Sequence, residues 1–256
     1  MLRKRILTAL IAGVLLLFLL WLGQIGFVVA WSSVGLLLLF EWTEGENMPS
    51  HRRPFLLYPI LPLWLAHADS IFLKAALVAL MGLIGVSLFL LSSQEAWEWT
   101  RQVLFGTVVF GVGWGAVGWI LYEPYSMGRV IAFLSLAWVS DTAAYAVGRT
   151  LGRTPILPHI SPQKTLEGLL GSLVATSIWA HWAVPWIGGF GKVYPAIVGF
   201  CVALVGFFGD AFQSMWKRAH GLKDSGSFLP GHGGFWDRVD SLIWIAPFWY
   251  FLGDIR

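Results

Sequence analysis

The chain alternates long apolar runs with short polar breaks, and the runs have the length of membrane spans. A bilayer core takes about 20 mostly apolar residues in helical form, with a range of about 17–25. Nine stretches meet or approach that requirement: 6–22, 26–41, 55–67, 71–91, 102–121, 129–147, 168–187, 194–213 and 239–253. The third is short and Pro-rich (Pro54, Pro59, Pro62), so it is expected to be kinked or only partly spanning. The first follows Arg3, Lys4 and Arg5. Its apolar run is too long for a signal peptide and no small-residue cleavage site follows, so it reads as an uncleaved first helix. The pattern therefore predicts an all-α, polytopic helical membrane protein of about nine transmembrane helices.

Basic residues in short loops set orientation. With the N-terminus in the cytoplasm and nine crossings, 13 of the 17 Lys and Arg fall on the cytoplasmic side. The expected topology is N-in and C-out. Composition agrees: residues AVILMFWYC make up 57% and charged residues 12%, against about 45–50% and ~25% in soluble domains. A soluble globule of this size could not cover its surface with 17 basic and 14 acidic residues. Disordered and fibrous classes are excluded on the same ground. Cys201 is the single cysteine, so neither an intrachain disulfide nor a cysteine-based zinc site is available. The net charge of +3 adds little.

Polar residues concentrate in two long loops predicted to be cytoplasmic, 148–167 and 214–238, both rich in Gly, Pro and Ser. Residues 1–128 read as a transmembrane scaffold and 129–256 as the catalytic region. A third polar loop, 42–54, carries no recognisable motif. Asp210 ends an apolar run, where a carboxylate costs up to about 2.5–3.5 kcal/mol at mid-span, so a functional role is the default reading. If its helix continues, Asp210, Ser214 and Lys217 share one face. Asp237 and Asp240 share a face at the start of the last span, with helix capping as the plainer reading for Asp240. Before them, Gly231-His232-Gly233-Gly234 reads as a backbone anion nest. Lys217, Arg218, Lys223 and Arg238 supply cations in the same loop, and His232 is a candidate donor to phosphate. Carboxylates with a glycine-rich basic loop suit a Mg²⁺-bound polyphosphate, and Mg²⁺ needs only one or two carboxylates, so Asp210 with Asp237 suffices. Asp141, Tyr145 and Arg149 form a stripe on an otherwise apolar helix, either as site residues or as an interhelical polar cluster. Lys164 is expected to open the next helix as a phosphate contact, with Glu167 in its first turn.

Other patterns carry less. Gly113-Trp114-Gly115-Ala116-Val117-Gly118 matches a dinucleotide fingerprint but lies inside an apolar span with no strand before it, so it reads as helix packing through small residues. Gly188-Gly189-Phe190-Gly191-Lys192 lacks the full phosphate-loop spacing. His51, His67, His159, His181 and His220 show no metal-ligand pairing.

The loop residues carry a resemblance. Ser214-Met215-Trp216-Lys217-Arg218, then Lys223-Asp224-Ser225-Gly226, then Leu229-Pro230-Gly231-His232-Gly233-Gly234-Phe235-Trp236-Asp237-Arg238-Val239-Asp240 resembles the signature of phosphatidate cytidylyltransferases, the CDP-diacylglycerol synthases. Asp141 to Tyr145, Gly148-Arg149, Ile160 to Pro162, Lys164-Thr165 and Glu167-Gly168 resemble the family's other shared stretches. The similarity covers roughly residues 138–241. It implies an enzyme that joins CTP and phosphatidate into CDP-diacylglycerol and pyrophosphate with Mg²⁺ and a second cation. It places Asp210 and Asp237 as metal carboxylates, and Lys217, Arg218 and Lys223 on phosphates. Asp141 and Asp240 would belong to the same polar site. Three positions depart: Gln213 stands for a usual Glu, Ala143 for Gly and Leu166 for Trp. Membrane lipid is the expected partner, a second copy of the chain a further candidate, and nucleic acid is not expected. The rival readings are a CTP-dependent lipid-alcohol kinase, the same reaction on another lipid phosphate, a transporter and an inactive homologue.

Overall fold

A computed structural model describes residues 14–15, 17–57, 60–61, 64, 83, 92–122, 126–187, 194–226 and 233–253. Within them the chain is helical. Helix α1 is Gln24–Gly45 and a 3-10 turn follows at Arg53–Leu56. Helix α2, Ser93–Gly106, runs through a π-helical stretch, Thr107–Trp114, into α3, Gly115–Tyr122. Then come α4 (Met127–Leu151), α5 (Leu166–Ile187), α6 (Pro195–Ala219) and α7 (Trp236–Gly253).

Among the described residues, four helical rods are long and apolar enough to cross a membrane: Gln24–Gly45, Gln94–Tyr122, Met127–Leu151 and Pro195–Ala219. They contain the predicted spans 26–41, 102–121 and 129–147, and 194–213 but for its first residue, the N-cap Tyr194. Spans 168–187 and 239–253 fall on α5 and α7, which are helices outside that set. Spans 6–22, 55–67 and 71–91 lie wholly or largely outside the described residues. Large apolar side chains such as Trp138, Ile178, Trp182, Ile197 and Phe208 stand exposed on the helix exteriors, as in a chain solvated by lipid.

Close helix approach depends on small residues, the usual device where lipid provides no hydrophobic drive between helices. A Cβ at Gly171 would lie 2.5 Å from Val147, and one at Gly199 would lie 2.4 Å from the Thr176 carbonyl. These contacts seal α4 on α5 and α5 on α6, and Ser140 and Ser172 add a 2.8 Å hydroxyl bond between α4 and α5. The fingerprint-like glycines serve the same end: a Cβ at Gly113 would meet Ile243 of α7 at 2.5 Å, and one at Gly118 would meet Trp31 of α1 at 2.6 Å. Under the polar end, the buried Trp42, Phe110, Trp216 and Trp236 and the half-buried Phe105 make an aromatic block with ring centroids 4.7 to 6.4 Å apart.

The all-α expectation needs one correction. Pro155–Leu157 (β1) and Ser161–Thr165 (β2) pair as an antiparallel ribbon inside the loop between α4 and α5. Pro155, Pro158 and Pro162 remove the donors a helix needs, so the segment extends instead. The expectation that Lys164 opens a helix fails for the same reason. Lys164 sits on β2, and α5 begins after Thr165, whose hydroxyl accepts the Gly168 amide at 3.2 Å as an N-cap.

Candidate active site

Helix α6 does continue past its apolar run, so Asp210, Ser214 and Lys217 share a face. The Ser214 hydroxyl lies 3.4 Å from Asp210 Oδ1. Asp210 forms an ion pair with Lys164, brought across from the ribbon, and the Lys164 ammonium also stands 5.4 Å from the Phe207 ring centre. Around this pair lies a cavity of ≈ 300 Å³ between α4, α5, α6 and β2. Asp141, Tyr145, Lys164 and Asp210 line it. Asp240, from α7, feels the charges of both Asp210 and Asp141. Two carboxylates, Asp141 and Asp210, thus line the cavity with Lys164, and the balance favours a bound cation.

The second centre joins α6 to α7. Lys217 Nζ lies 2.7 Å from Asp237 Oδ1, both side chains only 12–13% exposed. Asp237 Oδ2 accepts the Ser225 amide at 2.9 Å and the Gly234 amide at 3.1 Å. Asp237 stands on the first turn of α7, ahead of the predicted span 239–253. Burial works against its charge, but Lys217 and the two amides outweigh that and hold its carboxyl below the usual range.

The remaining predicted residues are spread around these two centres. Arg149 donates to the Tyr145 hydroxyl and lines a second cavity with Tyr145, Gln163 and Thr165. Arg218 donates to the Ile160 carbonyl at 3.3 Å and the Leu222 carbonyl at 2.9 Å, tying the ribbon to the end of α6. Lys223 is exposed. Arg238, on the first turn of α7, lines a mostly apolar cavity with Trp31 and Trp138. His232 lies outside the described residues. The glycine-rich nest is only partly available to a ligand, because the Gly234 amide already serves Asp237. Gln213 is buried at 1% exposure, with neither amide atom partnered among the described residues.

Two carboxylates have parts that the loop motifs did not reveal. Glu41, 3% exposed near the end of α1, accepts from Phe235 and Trp236 amides. Glu46, just past α1, bonds Arg101 at 2.8 Å and the Trp216 indole at 2.7 Å, with His220 at 3.3 Å. Burial opposes the Glu46 charge, yet the Trp216 and Arg101 hydrogen bonds prevail and keep its pKa low. The sequence signal for both was a carboxylate at the membrane boundary, the same rule that singled out Asp210.

Glu167 closes the ribbon. It accepts from the Arg153 amide at 3.0 Å, the Thr154 amide at 3.2 Å and the Thr154 hydroxyl at 2.9 Å. These bonds, the Arg153 amide first, bring its pKa down to about 2 from 4.5. A carboxylate with a depressed folded pKa stabilises above its unfolded pKa and loses that effect as pH falls through the folded value. The expected result is amide exchange at Arg153 and Thr154 that accelerates as pH falls from 4.5 towards 2, beyond the intrinsic pH trend. Glu167→Gln should abolish that excess. Exchange that follows the intrinsic trend alone in the wild type would refute it.

Mg²⁺ is a hard cation that takes oxygen ligands and keeps several waters. Among the described residues no three Asp, Glu, His or Cys side chains converge as a ready ion cage. The oxygen donors of Asp210 still fit such an ion, since one or two carboxylates and substrate phosphates complete its shell.

Comparison with known proteins bears on this site. The chain matches the family model described as the Cytidylyltransferase family over residues 3–255. It is 32% identical over 266 residues to the phosphatidate cytidylyltransferase of Brucella suis biovar 1 (strain 1330), covering 99% of this chain and 94% of that protein. It is 29% identical over 268 residues to the phosphatidate cytidylyltransferase of Bacillus subtilis (strain 168), covering 98% and 97%. The phosphatidate cytidylyltransferase of Synechocystis sp. (strain ATCC 27184 / PCC 6803 / Kazusa) is 37% identical over 144 residues, covering 54% of this chain and 48% of that protein.

Proposed function

The chain belongs to the cytidylyltransferase family, and we propose that it transfers the CMP moiety of CTP to phosphatidate, giving CDP-diacylglycerol and pyrophosphate. One observation carries this reading: an acidic cavity with a single lysine lies beside a second lysine–aspartate pair at the polar end of apolar helices. A charged nucleotide and a lipid phosphate need such a boundary, where polyphosphate chemistry meets the bilayer.

In this reading an oxygen of the phosphatidate phosphate attacks the α-phosphorus of CTP. The new P–O bond forms as the bond from that phosphorus to the bridging β-oxygen breaks, and pyrophosphate leaves with the electron pair. The lipid phosphate is already a nucleophile, so no protein nucleophile is required and catalysis rests on positioning and charge neutralisation. Lys164 and Lys217 supply positive charge towards the phosphates. Arg218, Lys223, Arg149 and Arg238 extend that charge along the loops, with Ser214 and His232 as hydrogen-bond donors. Asp210 and Asp237 would hold Mg²⁺, with Asp141 and Asp240 in support; the ion would neutralise the triphosphate when bound. Because Asp237 is held by Lys217, substrate entry would draw the ammonium towards phosphate and release the carboxylate.

The site would face the cytoplasm at the inner membrane, with nine spans, N-in and C-out. Residues 1–128 would form the scaffold and 129–256 the catalytic region, and a second copy of the chain is the candidate protein partner.

The test uses purified protein with phosphatidate, Mg²⁺ and CTP labelled separately at its α- and γ-phosphates. Label from the α-position should enter lipid. Transfer of γ-label alone, to a lipid alcohol, would replace the reading with a kinase. No transfer from either position would overturn it.

A further inference from the structure

Helix α7 begins without a local cap. The residues before it are Gly233, Gly234 and Phe235, none of which offers a side-chain acceptor to the first amides. The acceptor comes instead from α1. Glu41 Oε1 takes the Phe235 amide at 2.8 Å. Its Oε2 takes the Trp236 amide at 3.0 Å and the Ser225 hydroxyl at 3.2 Å. A buried carboxylate is expensive unless hydrogen-bonded, and here three donors from two segments converge on one.

Two glycines are shaped around it. A Cβ at Gly226 would come 2.8 Å from the Glu41 carboxyl group, and one at Gly234 would come 2.5 Å from Glu41 Oε2. Glu41 and Asp237 also grip the same short segments. Ser225 gives its hydroxyl to Glu41 and its amide to Asp237, while Gly234 gives its amide to Asp237 and Phe235 gives the next amide to Glu41. The place of Asp237 is thus fixed through Glu41, although among the described residues Glu41 hydrogen-bonds to none of those assigned to substrate.

We infer that Glu41 is a positioning residue for the transfer reaction: a cap delivered across the bundle from α1 that sets the entry of α7 and holds Asp237 and the Ser225 turn in register. As a role in catalysis this rests on the proposed function; as a clamp on α7 it does not.

The test compares Glu41→Gln with Leu38→Ala in the full-length protein in detergent. Leu38 lies three residues earlier on α1, is fully buried and makes no part of the clamp. Glutamine keeps the size of Glu41 but turns an NH₂ group towards backbone donors. Glu41→Gln should accelerate amide exchange at Phe235 and Trp236. It should also lower kcat by roughly 10- to 100-fold, as loss of an outer support does, with little change in KM for CTP. Leu38→Ala should lower the melting temperature while leaving kcat and the exchange at those two amides unchanged below the melt. Unchanged exchange at Phe235 and Trp236 in Glu41→Gln would overturn the inference. So would a kcat that falls only in step with the melting temperature, as in a plain packing variant. If the wild type moves no label from CTP to phosphatidate, the function reading fails alone, and the exchange measurement still decides the clamp.

Discussion

Asp210→Asn is expected to cut CMP transfer by on the order of 10³-fold, the scale of losing a preorganised electrostatic contact in a water-poor site. The fold should survive it. The Asp210 side chain is 40% exposed, so its pair with Lys164 is worth no more than about 1 kcal/mol as a stabilising contact. Against that stands the repulsion from Asp141, which lines the same cavity. Removing one of two like charges relieves crowding, and the variant should melt at the wild-type temperature or slightly above it. Stability held against function is the usual mark of an active-site carboxylate. The measurement is turnover with α-labelled CTP alongside thermal unfolding in detergent. Turnover within threefold of wild type would remove Asp210 from the site. A melting temperature that collapses together with turnover would make it a structural residue.

Much of this site could be read from the chain because its parts lie on single helices. The i, i+4, i+7 spacing of Asp210, Ser214 and Lys217 places them on one face whatever surrounds them, and α6 bears that out. Which partner each charge finds was not legible. Lys164 meets Asp210 only because the ribbon folds over the end of α6, and Asp237 meets Lys217 only because α7 packs back on α6. The ribbon itself was hidden by its length, since strands of three and five residues among prolines give too few alternations to show a period of two.

Least legible were the contacts made by the polar end of α1. Glu41 and Glu46 come from the end of α1, yet they bind groups 170 to 195 positions away in the chain. No local motif encodes such a contact. The glycine-rich loop illustrates the consequence. Its glycines suggested a nest open to phosphate, but the Gly234, Phe235 and Trp236 amides are engaged by Asp237 and Glu41. In the described part of that loop, glycine makes room for the protein's own carboxylates. On the proposed reading, the positive charge for phosphate would fall to side chains such as Lys217, whose partner here is itself a carboxylate.

That partnership makes the second large prediction. Lys217→Met should destabilise the protein by about 3 kcal/mol, the low end of the cost of breaking a buried ion pair. Both members are nearly buried, so removing the ammonium strands the Asp237 charge with only the Ser225 and Gly234 amides to hold it. Asp237→Asn should destabilise through the converse fault, an unpaired Lys217. Joined in one chain, the two substitutions remove both charges, and the double variant should be more stable than the sum of the single losses predicts, by about 1–3 kcal/mol. Activity should not follow. If Lys217 and Asp237 act on phosphate and metal rather than only on each other, CMP transfer stays lost in the double variant even where stability returns. Unfolding free energies of the four proteins, with turnover measured on each, test both halves. Additive losses would mean that the pair contributes nothing as a pair. Recovery of turnover with stability would mean that the pair serves the fold alone.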